Sequence, residues 1–324
     1  MKRWLLLLVC LLPTLIFAQE RLRIVEWNVE NLFDTVHDSL KNDSEFLPYS
    51  PRHWTRTKYW EKLNKIGQGI LSCGEDSASW TLPDLIGLCE VENDSTMIYL
   101  TQRSNLRKAR YEYVMTASND ERGIDVALLY SPFSFRFIHA DTLAIKPIKG
   151  MKPTRDILHV VGEVASGDTL HLVLVHAPSR SGGEKVSEPF RLHVAENICN
   201  LIDSIKAQEK QANILIMGDF NDYYDNASLR KIYEHGMVNI SKNAIGKHGA
   251  KATYRYKGEW NSLDQMLISQ HLLPKVKQCS INDAPFLIEE DNKYGGVKPR
   301  RFYNGMSYNG GFSDHLPLVL DLSL

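Results

Sequence analysis

The chain has 324 residues, of which 43% are hydrophobic, 10% aromatic and 24% charged. This mixture can bury a sizeable core and excludes an intrinsically disordered chain. The 38 basic and 39 acidic residues nearly cancel, which excludes a protein that attracts polyanions through a large net positive charge.

The first residues have the pattern of a secretory signal peptide. Lys2 and Arg3 precede an apolar run over residues 5–17, and Ala18 offers a small residue for cleavage. We therefore predict a signal peptide over residues 1–18, one mature domain over residues 19–324, and a secreted or periplasmic location. The apolar run is short for a membrane span, so we expect no stable membrane anchor after cleavage, although an uncleaved N-terminal anchor is the alternative.

The predicted mature chain would carry 36 basic and 39 acidic residues, a net charge of −3. Binding to nucleic acid would then depend on local basic patches and a metal ion. Four cysteines remain in this mature chain, and their spacing is not that of a metal site. An exported protein can form disulfides, so their pairing is left open: Cys73, Cys89, Cys199 and Cys279.

Segments rich in β-forming residues recur along the whole mature chain. We predict strands over residues 21–29, 84–89, 111–116, 125–130, 135–145, 157–165, 169–176, 214–217, 263–269 and 316–322. The sequence Ser-Gly-Asp at residues 166–168 predicts a hairpin turn between two of these strands.

Apolar residues recur at helical spacing over residues 60–71 and again over residues 192–205. The second helix is expected to begin near Glu188-Pro189, because proline is tolerated in a first turn. Many strands with few helices predict a single α/β domain with two packed sheets flanked by helices. Long loops are expected over residues 35–56, 236–253 and 285–312, and the last is either a substrate-contacting lip or a solvated surface loop.

Polar residues stand at the ends of the predicted strands. If those strands end on one side of the sheets, the side chains gather at one edge. Carboxylates bind hard cations such as Mg²⁺, and a carboxylate or a histidine can move protons at a phosphate. Each residue alone has a structural interpretation as a turn, a cap or an edge charge, so the combination carries the signal. The residues are Asn28, Glu90, His176, Asp219, Asn221, Asp264, Asp314 and His315.

Six segments contain these residues in a fixed order: WNVENLF at 27–33, LCEV at 88–91, VHAPS at 175–179, MGDFND at 217–222, SLDQML at 262–267 and FSDHLP at 312–317. Together they resemble the endonuclease/exonuclease/phosphatase superfamily, which contains DNase I and the abasic-site exonucleases. The resemblance covers nearly the whole mature chain. It implies a DNase I-like four-layered α/β sandwich, in which two packed mixed β-sheets are flanked by helices.

The resemblance also implies metal ligands and phosphate contacts. Glu90 would be the main metal ligand, Asn28 would touch the metal or the phosphate, and Asp314 would assist at the metal. Glu30 stands where some members of the superfamily have aspartate, so it is a further candidate for the metal. The expected ion is Mg²⁺, with Mn²⁺ as the alternative.

The remaining matched residues would act on the substrate. The resemblance implies that Asp219 orients or activates the attacking water, that Asn221 holds a phosphate oxygen, and that His315 pairs with Asp264 as the catalytic histidine. His176 resembles the phosphate-contacting histidine of the DNase I branch. The segment that follows it is one residue shorter before Pro178 than in that branch.

The activity implied is that of a secreted phosphodiesterase that acts on DNA or RNA, with no obligate protein partner. One alternative is a phosphatase or a phospholipase C-like enzyme that acts on inositol phosphates or sphingomyelin. A second, of another class, is a catalytically inactive secreted binding module, against which the full set of site residues argues. The choice between DNA and RNA, endo or exo action, the physiological metal and the oligomeric state are left open.

Overall fold

Two six-stranded β-sheets face each other, and helices cover their outer surfaces. The computed structural model describes residues 21–76 and 79–324, so the predicted signal peptide lies outside the described residues. This architecture confirms the predicted four-layered α/β sandwich. No helix in those two described ranges is long and apolar enough to cross a membrane.

The first sheet contains the N-terminal and C-terminal strands of the domain. In spatial order its strands are β13 (Val276–Ile281), β18 (Leu318–Ser323), β1 (Arg21–Leu32), β2 (Leu85–Val91), β4 (Asp125–Tyr130) and β3 (Glu112–Met115). β1 and β2 run parallel and the other neighbours are antiparallel.

The second sheet is also mixed. In spatial order its strands are β5 (Phe135–Leu143), β6 (Ile157–Val164), β7 (Thr169–His176), β8 (Asn213–Asp219), β12 (Asp264–Ser269) and β9 (Met237–Asn239). β7 and β8 form its parallel pair. Three two-stranded ribbons complete the β structure: β10 (Tyr254–Tyr256) with β11 (Glu259–Asn261), β14 (Ile288–Glu290) with β15 (Val297–Pro299), and β16 (Tyr303–Asn304) with β17 (Ser307–Tyr308).

The four α-helices are α1 (Arg56–Ser72), α2 (Asp94–Ile98), α3 (Glu184–Gln208) and α4 (Ala227–Glu234). Shorter helical turns are Ser44–Phe46, Asn105–Lys108 and Gln270–Lys275 of the 3-10 type, and Tyr99–Arg103 of the π type. Helix α1 packs on the first sheet, where Gly69 lies directly against the ring of Trp27. Helix α3 covers the second sheet with an apolar stripe that includes Val194, Ile198 and Ile202.

The two sheets pack closely at Gly87 of β2. A Cβ atom at this position would lie 2.8 Å from the terminal carbon of Met217 and 3.2 Å from a methyl carbon of Leu174, both in the opposite sheet. Strands such as β2 and β8 are buried on both faces, which explains their continuous apolar sequences. The close packing holds the ends of the central strands in fixed positions relative to each other.

The predicted start of α3 was wrong. The helix begins at Glu184 after Gly183, whose φ of 115° suits glycine, and Pro189 lies inside the helix. Near this start the Ser187 hydroxyl donates to the Gly183 carbonyl (2.9 Å), and the Arg191 guanidinium donates to the Glu184 carbonyl (3.1 Å). Pro189 has no backbone N–H and therefore cannot make the helical hydrogen bond to the carbonyl of Lys185.

The ten predicted strands are all present, with ends shifted by a few residues, and so is the turn at residues 166–168. The strands β9 and β13, the three ribbons, and the short helices α2 and α4 were not predicted. The four cysteines are all free, and Cys73, Cys89 and Cys199 are buried. Burial raises the pKa of the Cys73 thiol to about 12, so it behaves as a small apolar side chain.

Candidate active site

The predicted residues meet at one edge of the sandwich. The parallel strands β1 and β2 end there in the first sheet, and β7 and β8 end there in the second. Strand β12 is antiparallel to β8 and begins at the same edge, so His176, Asp219 and Asp264 lie side by side in register. A cavity of about 590 Å³ opens at this edge, and its lining includes Asn28, Glu90 and His315.

Asp219 is the buried centre of this arrangement. Its Oδ2 accepts a hydrogen bond from the Asn28 amide (3.0 Å), and its Oδ1 accepts one from the backbone N–H of Asn221 (2.8 Å). The same Oδ2 lies 3.7 Å from Nε2 of His176 and 4.0 Å from Nε2 of His315. Burial raises the pKa of Asp219 to about 6, against the opposing effect of the His315 charge and with a further contribution from Asp264.

His315 and Asp264 form a buried pair. The Nδ1 of His315 lies 2.7 Å from Oδ2 of Asp264, and the Thr253 hydroxyl donates to the same oxygen. The ring of Tyr254 packs on the imidazole at 4.9 Å between centroids. Burial works against a charged imidazole, but the carboxylates of Asp264, Asp314 and Asp219 outweigh it and hold the pKa of His315 well above its usual value. His315 is therefore an imidazolium at neutral pH.

His176 is the uncharged counterpart of His315. Burial lowers its pKa well below the usual value, and the positive charges of Arg155, Arg122 and His315 lower it further. Its Nε2 faces both Asp219 and Oε1 of Glu90, which is 4.0 Å away. Its Nδ1 is buried with no hydrogen-bond partner among the described residues. Asp219 thus lies between a charged and a neutral imidazole.

The Glu90 carboxylate is more exposed than those of Asp219 and Asp264. Its backbone adopts a φ of 65°, an uncommon value for a residue with a side chain. Its Oε2 accepts a hydrogen bond from the backbone of Asn31 (2.8 Å), and the guanidinium of Arg122 lies 3.5 Å from both oxygens. The strained backbone turns this carboxylate into the cavity.

The donor set at Glu90 fits a hard divalent cation. Glu90, the amide oxygen of Asn28 and the carboxylate of Asp314 line the same cavity, and all three supply oxygen ligands of the kind that Mg²⁺ and Mn²⁺ prefer. Like Glu90, the other two groups have protein partners in this structure. The Asn28 oxygen accepts the backbone N–H of Glu30 (3.0 Å), and Oδ2 of Asp314 lies 3.1 Å from Arg301.

A second trio of potential ligand atoms comes from Asp219, Asp264 and His315, whose atoms lie within 4.8 Å of one another. The Oδ2 of Asp264 already accepts hydrogen bonds from His315 and from Thr253. A metal ion that displaced these bonds would leave a buried hydroxyl and a buried imidazole unpaired, which is costly. We therefore interpret this trio as a hydrogen-bonded unit.

The polar groups of Asn221 and Glu30, two of the predicted site residues, are occupied by hydrogen bonds to other parts of the protein. The Asn221 amide donates to the Ala177 carbonyl (3.1 Å), which fixes the loop after β7. The Glu30 carboxylate accepts two hydrogen bonds from Arg301 (2.8 and 3.0 Å) and one from the backbone of Phe302 (3.2 Å). Arg301 thus links the loop over residues 285–312 to both Glu30 and Asp314.

The prediction missed several arginines at this edge. Arg122 contacts Glu90, as described above. Arg155 is buried, donates to the carbonyls of His176 (3.1 Å) and Ala177 (2.6 Å), and pairs with Asp120 (3.0 Å). The sequence around Arg122 and Arg155 contains no motif that indicates a role in the site, because each arginine contacts residues of other strands. Among the arginines at this edge, only Arg301 lies in a segment whose mixture of basic and aromatic residues indicates contact with a substrate.

A family model described as "Endonuclease/Exonuclease/phosphatase family" matches residues 23–323, nearly the whole described chain. The chain belongs to the endonuclease/exonuclease/phosphatase family. A search of curated proteins found no significant match. The predicted family membership is confirmed.

Several solved structures have a similar fold. A mannosyl-6-phosphatase from Bacteroides thetaiotaomicron has a TM-score of 0.61 at 14% identity, over 94% of this chain and 100% of its own. A second family protein from that organism has a TM-score of 0.59 at 14% identity, over 94% and 97%. D. rerio TDP2 complexed with single-strand DNA product has a TM-score of 0.53 at 14% identity, over 94% and 99%. Similarity at this level of identity supports the fold.

The pair of Asp264 and His315 generates the first prediction. Asp264→Asn and His315→Ala should each lower the rate of phosphate ester hydrolysis by about a hundredfold to ten-thousandfold, because each removes the oriented imidazolium. The double variant should be no slower than the slower single variant, since both changes disable one unit. Hydrolysis kinetics and thermal melting should be measured on all three proteins.

The control for this cycle is Asp283→Asn. The Asp283 carboxylate is also buried and accepts hydrogen bonds from three backbone N–H groups, but it lies outside the active-site cavity. This variant should lower the melting temperature with little change in rate. Rate losses in the cycle that simply multiply, or that follow the melting temperature, would contradict the unit of Asp264 and His315.

Proposed function

We propose that this protein is a secreted, divalent-metal-dependent phosphodiesterase that hydrolyses phosphodiester bonds of DNA or RNA. The observation that carries the proposal is the position of buried Asp219 between neutral His176 and charged His315, with the Glu90 carboxylate facing the same cavity. Burial of so many charged groups and imidazoles at one cavity costs free energy, and a binding module without catalytic activity would not need them, so the cluster argues against an inactive binding module.

In the proposed mechanism, Glu90, Asn28 and Asp314 hold Mg²⁺, with Mn²⁺ as the alternative. The bound ion would neutralise charge on the phosphate and stabilise the leaving oxygen. Arg122 and Arg301 would exchange part of their contacts with Glu90 and Asp314 when these carboxylates bind the ion. The arginines would then be available to phosphate oxygens at the rim of the cavity.

Asp219 is the proposed general base. With a pKa of about 6, Asp219 is mostly ionised at neutral pH. This pKa is also close enough to the operating pH for Asp219 to accept a proton efficiently. Asp219 takes a proton from water, the water oxygen forms a bond to phosphorus, and the bond to the leaving oxygen breaks. That oxygen leaves with the bonding electrons and receives a proton from solvent.

The histidines and amides bind the phosphate in this mechanism. The His315 imidazolium donates a hydrogen bond from Nε2 to a non-bridging oxygen, whose negative charge grows in the transition state. Asp264 keeps the ring oriented and protonated. His176, Asn28 and Asn221 supply neutral donors to the other phosphate oxygens, and the amide of Asn221 would exchange its contact with Ala177 for the substrate.

The nucleic-acid substrate is proposed from two considerations. The related TDP2 structure was determined with single-strand DNA product. The cavity rim also carries Arg122 and Lys152, which pair with Glu90 and Glu121 in this structure and would contact phosphate by exchanging these partners. The second candidate is a phosphatase of small phosphate esters, since a related structure is that of a mannosyl-6-phosphatase. The second candidate also includes a phosphatase or phospholipase C-like enzyme that acts on inositol phosphates or sphingomyelin.

The role of Glu90 generates a prediction about metal binding. Glu90→Gln keeps the shape of the side chain but removes its charge, so the affinity for Mg²⁺ or Mn²⁺ should fall at least tenfold while the fold is retained. Calorimetric titration with Mn²⁺ and circular dichroism should be used to measure both. The control is Glu163→Gln, because Glu163 lies on β6 away from the cavity and pairs with Arg136. An unchanged Mn²⁺ affinity in Glu90→Gln would remove this residue from the ligand set.

The substrate class generates a prediction about salt. Hydrolysis of single-stranded DNA or RNA should require Mg²⁺ or Mn²⁺, stop in EDTA, and show a Michaelis constant that rises with salt, because each local cation that contacts a backbone phosphate releases counterions on binding. The panel of substrates should include plasmid DNA, RNA, sugar phosphates, inositol phosphates and sphingomyelin. Much faster hydrolysis of the last three would show that the nuclease assignment is wrong and would leave the esterase assignment in place.

A further inference from the structure

Three histidines lie together on three neighbouring strands of the second sheet. His139 is on the edge strand β5, His159 on β6 and His171 on β7. The register pairs His139 with Val161 and Val161 with His171, while Asp141 pairs with His159. Residues paired across strands, and residues two apart on a strand, point to the same face. All three imidazoles and the Asp141 carboxylate therefore point to one side of the sheet.

Two of these imidazoles already face each other through their nitrogens. The Nε2 of His159 lies 3.0 Å from Nδ1 of His171, and the rings are inclined by only 10°. His139 approaches His159 edge to face, with 6.2 Å between ring centroids. His159 is nearly buried, with 8% of its side chain exposed, whereas His139 is 52% exposed and free to rotate.

The pair of His159 and His171 has the charge state that metal binding requires. Burial lowers the pKa of His159 to about 4, with a further contribution from His171, and burial also lowers the pKa of His171. Both rings are neutral at pH 7, which is the form that coordinates metals. Two nitrogens bound to one tetrahedral ion at about 2.0–2.1 Å stand roughly 3.3 Å apart, so the observed 3.0 Å needs only a small widening.

Asp141 lies behind His159 rather than between the two nitrogens. Its Oδ2 is 3.9 Å from Nδ1 of His159, the ring nitrogen that does not face His171, and 3.5 Å from Nε2 of His139. At 3.9 Å this contact is electrostatic rather than a hydrogen bond, and it favours the ring orientation in which Nε2 of His159 faces His171. Rotation of His139 away from Asp141 would bring its imidazole towards the pair as a third ligand, with water to complete the coordination.

This cluster is separate from the candidate active site. His171 precedes His176 by five residues on β7, so the two lie about 16 Å apart and point to opposite faces of the sheet. Their chemistry also differs, because the active-site donors are mainly oxygens and the cluster donors are imidazole nitrogens. Nitrogen ligands favour Zn²⁺, Ni²⁺ and Cu²⁺ over Mg²⁺.

We propose that His159, His171 and His139 form a second metal site, which binds a first-row transition-metal dication such as Zn²⁺ or Ni²⁺. The ion cross-links β5, β6 and β7 at the edge of the second sheet. Because it binds the folded protein and not the separated strands, it stabilises the fold in proportion to the ion concentration. This site is independent of the proposed hydrolytic activity.

The test is calorimetric titration of the whole protein with Ni²⁺ in a large excess of Mg²⁺, in the Glu90→Gln background, which suppresses binding in the active-site cavity. We expect one strong binding event that His171→Gln weakens at least tenfold and His139→Ala weakens to a smaller extent. His171 is half-buried, so its replacement is less disruptive than that of His159, and circular dichroism should confirm the fold of each variant.

The matched control is His193→Gln on helix α3, where the imidazole contacts the Lys146 carbonyl and stands outside the cluster. This variant should bind Ni²⁺ as the parent does. Substitution of Co²⁺ for Ni²⁺ should also give visible absorption typical of nitrogen ligands, and this absorption should disappear in His171→Gln. Absence of the binding event in the parent, or equal affinity in the parent and in His171→Gln, would overturn the proposed site. Equal affinity in His139→Ala would overturn the role of His139 in it.

Discussion

The hydrogen bond between Asp264 and His315 joins the two sheets and sets the charges around it. Asp264 begins β12 of the second sheet, and His315 stands just before β18 of the first. Two further hydrogen bonds hold the backbone at His315 in place. The Trp27 indole donates to the His315 carbonyl (2.9 Å), and the backbone of Leu316 donates to the Thr253 carbonyl (2.8 Å). The close packing of the sheets thus determines the orientation of the imidazole, and the imidazole charge in turn stabilises ionised Asp219.

This arrangement concentrates acidic groups in a buried region, and the fold limits their net charge in two ways. His315 carries a positive charge among Asp264, Asp314 and Asp219. Glu26 lies below them on β1, and burial together with Asp264 and Asp219 raises its pKa well above the usual value, so this carboxyl is neutral. Neither oxygen of Glu26 has a hydrogen-bond partner among residues 21–76 and 79–324. A dense cluster of carboxylates is therefore compatible with a stable core.

The sequence predicted most of the fold because the strands are short, apolar and separated by turn residues. It also predicted that these polar side chains would meet at one edge, because polar side chains at the ends of apolar strands are unusual and their order resembles that of the family. It did not predict Arg122, Arg155 or the clustering of His139, His159 and His171. These depend on which strands are neighbours and in what register, and such information is absent from local patterns. The predicted start of α3 was wrong because the helix accommodates Pro189 in its second turn and begins after Gly183, whose φ of 115° favours glycine.

The most direct test of the central claim is the protonation state of the two imidazoles that flank Asp219. Nitrogen-15 NMR of histidine side chains in metal-free protein at pH 7.5, with assignments from single substitutions, reports it. The account predicts that both ring nitrogens of His315 carry protons and that His176 is neutral, and that Asp264→Asn returns His315 to the neutral form. A neutral His315 in the parent protein, or a charged His176, would contradict it.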